Sequence, residues 1–134
     1  MNYYQNEWAG AFGRKYTDRC QIDYQPRIEI FEKLLDGLLI YKTLEVGTNM
    51  GHNLLAINEA TDSEIQGLEI NKYAVEKSEI PAKIVLGSAY DLPWIDNSFD
   101  LVFTAGVLIH IPTNGMITIP VYSGTLSHPD SKCS

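Results

Sequence analysis

From Tyr41 onward the chain switches its hydrophobic period again and again, and that alternation limits the fold more than any other feature. Tyr41 to Val46 reads as a buried strand ending at Gly47, and Asn53 to Ala60 as a helix. Glu64 to Glu69 is a second strand, followed by the helical Asn71 to Ser78; Ala82 to Leu86 is a third, ending at Gly87. Asp100 to Thr104, inside an almost uninterrupted apolar run to Ile111, is a fourth. Strand and helix taking turns in this way imply right-handed βαβ units and a parallel sheet covered on both faces, an α/β fold. Ligands of such sheets bind at the carboxyl ends of the strands, where the strand order reverses. Chemistry is therefore sought at Gly47, Glu69, Gly87 and Thr104.

Ahead of the alternation, Trp8, Phe12 and Tyr16 fall at i, i+4 and i+8, so Gln5 to Cys20 reads as one amphipathic helix. Pro26 precedes a second helical stretch, with Ile28, Phe31, Leu34, Leu35 and Leu38 on one apolar face and Gly37 near its end. Composition narrows the function classes. A formal charge of −7 argues against nucleic acid as a partner, because a phosphate-backbone binder needs a basic stripe. No run approaches the roughly 20 apolar residues of a membrane span. Glu7, Arg14, Lys15, Asp18 and Arg19 exclude a signal-peptide core near the start. Cys20 and Cys133 show no spacing that suggests a metal site or a disulfide framework, and His52, His110 and His128 share no metal-ligand pattern. A soluble cytoplasmic setting without a metal or a membrane partner is expected.

The segment LEVGTNMGHNLL, Leu44 to Leu55, places Gly47 and Gly51 on either side of a tight strand-to-helix turn. Glycine permits positive φ and close approach of a ligand, and Asn49 is the next best residue for such a conformation. Amides at the start of the following helix suit a carboxylate or a phosphate. The turn lacks the spacing of a G-x-G-x-x-G fingerprint, so by itself it also fits a plain βα connection. Glu69 stands at the end of the second strand, 24 residues beyond Glu45. A carboxylate there can accept hydrogen bonds from both hydroxyls of a ribose; alone, it equally fits a helix-capping acid. Together, turn and acid favour an adenosine-containing ligand, with Ile70 flanking the adenine.

GSAYDLPW, Gly87 to Trp94, then offers backbone donors and the Ser88 hydroxyl, and precedes SFDLVFTAGVLIHIP, Ser98 to Pro112. The order E-x-G-x-x-x-G, a strand ending in Glu, G-S-A-x-D-L-P, S-F-D-L-V and H-I-P resembles the class I S-adenosylmethionine-dependent methyltransferases. Asn49 replaces the middle glycine of the family turn, and Ser88 stands where many members have Asp. With EWAGAFGRKYTDR, Glu7 to Arg19, the chain is similar to the subgroup known as pseudaminic acid biosynthesis-associated methylases, over about residues 7 to 112.

The resemblance implies a Rossmann-like three-layer sandwich and a single in-line methyl displacement from a sulfonium, with S-adenosyl-L-methionine as cofactor. It implies a small-molecule or sugar-related acceptor. Gly47, Thr48, Asn49 and Gly51 would cradle the methionine and ribose, and Glu45 would support that turn. Glu69 would bind the ribose diol, Ser88 and Ala89 would border the adenine, and Thr104 and Ala105 would offer backbone groups to the methionine amino end. Tyr16 and Arg19 would close over the cofactor from the opening helix, although the aromatic residues there also fit simple helix packing. His110 is the candidate base for the acceptor proton; a single His in an apolar run is also an ordinary packing residue.

Beyond Thr113 the character of the chain changes. The last 22 residues hold only Asp130 and Lys132 of the 27 charges, and half of them are Ser, Thr, Gly or Pro. The family order of strands is 3-2-1-4-5-7-6, and only the first four strands are legible. The expected organisation is an N-terminal helical cap over 1–40, a cofactor-binding half-domain over 41–112 and an atypical or disordered tail over 113–134. Met116 to Tyr122 is at most a short edge strand. The C-terminal part reads as truncated, with two expected consequences. The fourth strand would be an edge open to self-association, and a non-catalytic remnant keeping the fold is the alternative to an enzyme.

Overall fold

Four parallel strands in the order β3-β2-β1-β4 form the centre of the molecule. The computed structural model describes residues 3–95 and 97–105; His110 and the tail lie outside them. The strands are β1 (Lys42–Val46), β2 (Glu64–Glu69), β3 (Ile84–Leu86) and β4 (Leu101–Thr104). α4 (His52–Thr61) joins β1 to β2, and α5 (Lys72–Lys77) with a single 3₁₀ turn at Pro81–Lys83 joins β2 to β3. α1 (Tyr3–Ala9), α2 (Ala11–Arg19) and α3 (Gln25–Leu34) precede the sheet. The expected α/β architecture is therefore present. The chain runs from β1 outward to β3 and then returns to the other side of β1, so the reversal falls between β1 and β4, beside the glycine turn.

Alternation along the strands builds two cores. Phe31, Leu35, Leu54, Ile57, Ile65, Leu101 and Phe103 pack between the sheet and α3–α4. Leu44, Val46, Leu68, Phe99 and Val102 face the other way, against Ala89, Leu92 and Trp94 of the loop that follows β3. Leu44, Leu54 and Ile57 have no exposed surface. Burial of each such side chain stabilises the fold by about 1.5–3 kcal/mol. The register of β4 is set by Asp100, whose carboxylate accepts the Tyr41 and Lys42 amides, each at 2.9 Å. Leu44 then stands opposite Val102.

Three expectations change. The opening helix is two helices: Gly10 adopts an extended backbone at the start of α2 (φ −102°, ψ −145°) and breaks it. Trp8 nevertheless keeps edge-to-face contact with Phe12 and Tyr16, at centroid distances of 5.0 and 5.1 Å, so the spacing reported an aromatic cluster and not continuity. In α3 and the turn after it, Phe31 and Leu35 are buried, whereas Leu34 and Leu38 are exposed. The third strand begins only at Ile84, because Pro81 starts a 3₁₀ turn. Cys20 is buried at the end of α2.

Candidate functional site

The strand ends converge on the turn after β1. Gly47 (φ 75°), Asn49 (φ 55°) and Gly51 (φ 84°) all take the left-handed conformation, as the spacing predicts. The Gly47 and Thr48 amides donate to the Leu68 carbonyl at 2.8 and 3.0 Å, fastening the turn to β2. Thr48 is held from two sides. Its hydroxyl donates to Glu45 Oε1 at 2.6 Å, and its methyl lies over Gly67, where an added Cβ would come within 2.6 Å. The sequence pattern gave no role to Gly67. It is glycine because nothing larger fits beneath the turn.

Two carboxylates lie under this turn, and each is buried. Glu45 accepts from Thr48 and, at 3.0 Å, from Asn53 Nδ2; burial pushes its pKa up to about 8, against the opposing pull of those bonds and of Arg27. Glu69 uses one oxygen for the Asn49 amide (2.7 Å) and the other for the Asn71 amide (2.9 Å). Burial raises its pKa, and these backbone bonds act against the rise. A carboxylate has about four lone-pair positions; with the Ile70 amide also acting on it, Glu69 keeps room for a further donor. That capacity, at the end of β2 and beside a turn bracketed by Gly47 and Gly51, fits a ribose hydroxyl. A further sign points the same way. Thr104 Oγ1 at the end of β4 and Tyr90 Oη in the loop after β3 are buried with no hydrogen-bond partner among the described residues. Unsatisfied buried hydroxyls are costly, so a polar ligand has work to do there.

The N-terminal helices reach the loops after β1, β2 and β3. Thr17 Oγ1 donates to Asn49 Oδ1 at 2.9 Å in the β1 turn. Asn71 caps α5 by accepting the Tyr73 and Ala74 amides, and its Nδ2 donates to the Trp8 carbonyl at 2.8 Å. Gly13 permits this approach, since a Cβ there would lie 2.4 Å from Asn71 Nδ2. Gln5 Nε2 donates to Ser88 Oγ in the loop after β3. Sequence reading placed Tyr16 and Arg19 over the site; in the structure Arg19 stacks on the Tyr16 ring at 5.5 Å, and Thr17 between them makes the bond to the turn. Ile70, Ala89 and Ala105 are half-buried beside their strand ends, and Ala89 packs on the second core. Thr17, Asn71, Gln5, Asn53 and Arg27 were missed. A polar side chain whose partner lies 26 to 83 residues away leaves no periodic signal.

Comparison with known proteins agrees with this geometry. A family model described as a methyltransferase domain matches residues 44–117, just over half of the chain. The chain is 33% identical over 81 residues to sterol 24-C-methyltransferase ERG6B of Gibberella zeae, covering 54% of the chain and 21% of that protein. It is 27% identical over 135 residues to 24-methylenesterol C-methyltransferase 2 of Arabidopsis thaliana, covering 89% and 36%. The chain thus spans between about a fifth and a third of these curated relatives. Among solved structures, a protein of Methanococcus maripaludis assigned as an S-adenosyl-L-methionine-dependent methyltransferase superposes with TM-score 0.63 at 17% identity, over 85% of this chain and 56% of that one. Geranyl diphosphate C-methyltransferase of Streptomyces coelicolor, in complex with Mg2+, geranyl diphosphate and S-adenosyl-L-homocysteine, superposes with TM-score 0.54 at 9% identity, over 65% and 36%. At such identities the structures establish the shared fold.

Proposed function

This chain belongs to the methyltransferase domain family, and from that premise we propose that it binds S-adenosyl-L-methionine at its strand ends and serves methyl transfer to a small-molecule acceptor. The observation that carries the reading is Glu69: a buried carboxylate at the end of β2, joined to the Asn49 amide of a left-handed turn, with room for a further donor. The cofactor supplies a methyl group on a positively charged sulfur, so the reaction is an in-line displacement that depends mostly on alignment. The protein's part is then to bind and orient. Glu69 takes the ribose hydroxyls; Gly47, Thr48, Asn49 and Gly51 cradle the methionine and ribose, with Glu45 beneath them. Ile70, Ser88 and Ala89 border the adenine, and the backbone of Thr104 and Ala105 meets the amino end. Tyr16 and Arg19 close the site from α2, and His110 serves as base when the acceptor must lose a proton.

In this reading residues 1–40 act as a cap and 41–112 as the cofactor half, in a cytoplasmic protein. β4 is an outer strand of the described sheet, and self-association through that edge belongs to the same proposal. The acceptor is sugar-related, on the resemblance of Glu7 to Arg19 and the E-x-G-x-N-x-G-x-N turn to the pseudaminic acid-associated subgroup. A second reading rests on the relatives, whose names specify sterols: an apolar isoprenoid acceptor. Incubation with methyl-labelled S-adenosylmethionine and matched panels of sugars and isoprenoids separates the two. Label in a sugar supports the first reading, and label in an isoprenoid replaces it. No label in either, with cofactor binding intact, contradicts turnover by this chain.

A further inference from the structure

Beneath the glycine turn a chain of side chains runs out to α3. Arg27 Nη1 donates to Asn53 Oδ1 at 2.5 Å, Asn53 Nδ2 donates to Glu45 Oε2 at 3.0 Å, and Glu45 Oε1 meets the Thr48 hydroxyl at 2.6 Å. Glu45, Thr48 and Asn53 are buried, at 1%, 4% and 6% exposure. The order of this chain has a direction. A guanidinium only donates, so the amide oxygen of Asn53 must face Arg27 and its nitrogen must face Glu45. Glu45 Oε2 is thereby fixed as an acceptor. The Glu45–Thr48 link is the one place where a proton can sit on either partner. Thr48 in turn is wedged against Gly67, so its position sets the backbone of the turn.

We propose that Arg27 is a positioning residue for the cofactor-binding turn: by orienting Asn53 it holds Glu45 and Thr48 in the arrangement that shapes residues 47–51. The proposal rests on the methyltransferase reading for the identity of the ligand, and on the hydrogen-bond chain for the role. Charged and titratable groups around Glu45 are Arg27 from α3 and Glu69 from β2, with Tyr16 of α2 and His52 of α4 acting on Arg27; β4 places Phe103 alongside. Burial favours the neutral acid of Glu45 and Arg27 favours its anion, so removal of Arg27 raises the Glu45 titration.

The test uses the whole chain as wild type, Arg27→Met, Arg27→Gln and Arg27→Lys. The Glu45 carboxyl is titrated by carbon-13 NMR in the cofactor-free protein, and S-adenosylhomocysteine binding is measured by calorimetry across pH. Arg27→Met is expected to move the Glu45 midpoint upward and to weaken binding about tenfold, the loss of one charged hydrogen bond. Arg27→Lys is expected to restore most of both. Arg27→Gln keeps a donor without the charge; its Glu45 midpoint rises while binding stays near wild type, and it carries the test if Arg27→Met fails to fold. Wild-type affinity for S-adenosylhomocysteine in a folded Arg27→Met protein overturns the proposal, and so does a Glu45 midpoint that stays at the wild-type value in a folded Arg27→Met or Arg27→Gln protein. Failure of wild type to bind S-adenosylhomocysteine overturns the methyltransferase reading instead, while the carboxyl titration still decides whether Arg27 acts on Glu45.

Discussion

The sheet and the helical pair that precedes it are held by different forces. β1, β2 and β4 bury almost every residue they contain, and their apolar side chains fill two cores. α2 buries only Gly13 and Thr17, and its ties to the strand ends are polar: Thr17 to Asn49, and Asn71 to the carbonyls of Trp8 and Gly10. Apolar burial is cooperative and hard to release in part. Hydrogen bonds worth about 1 kcal/mol each can open without unfolding the molecule. The strand ends thus form a rigid floor, and α1–α2 a roof that can be detached from it.

The contrast can be broken from the floor upward. Leu54 is fully buried, so Leu54→Ala is expected to cost about 2–5 kcal/mol in urea unfolding, loosening sheet and helices together. Next comes pH. The Glu45 carboxyl titrates near 8 in the folded chain and at its ordinary 4.5 when unfolded, so the fold binds the extra proton. Its contribution to stability is complete below about pH 4.5 and is lost as pH rises to about 8. Wild type should therefore lose stability relative to Glu45→Gln over that range; a constant difference between the two would refute the burial of a neutral acid.

Smaller effects isolate the roof. Asn71→Asp keeps the oxygen that caps α5 but replaces the amide donor with a second acceptor facing two carbonyls. It should cost about 1–3 kcal/mol in local opening, seen as faster hydrogen exchange in residues 3–19 with the sheet amides unchanged. Thr17→Val, the mildest, deletes one hydroxyl bond to Asn49 and should cost about 1 kcal/mol. Its signature is faster exchange in α2 alone, and equal acceleration in β1 would contradict a separable roof.

The same contrast explains what the sequence made legible. Burial repeats with the period of its element, so β2 was readable to the residue as Glu64–Glu69, and Glu45, Gly47, Asn49 and Glu69 fell at strand ends where chemistry is expected. The left-handed turn was legible because few residues tolerate it. Polar ties have no period. Asn71, Thr17 and Arg27 look like ordinary surface residues until the fold brings their partners within 3 Å. Gly10 misled for a related reason: the Trp8–Phe12–Tyr16 spacing survives a helix break when the rings still pack on each other.

On the proposed reading the floor binds the S-adenosyl cofactor through Glu69. Calorimetric titration of S-adenosylhomocysteine into the wild-type chain and into Glu69→Ala tests it most directly. One-site binding by wild type, reduced at least about tenfold by a substitution that removes charged acceptors of the ribose, is the predicted result. No heat of binding from folded wild type, or equal affinity in Glu69→Ala, would contradict it.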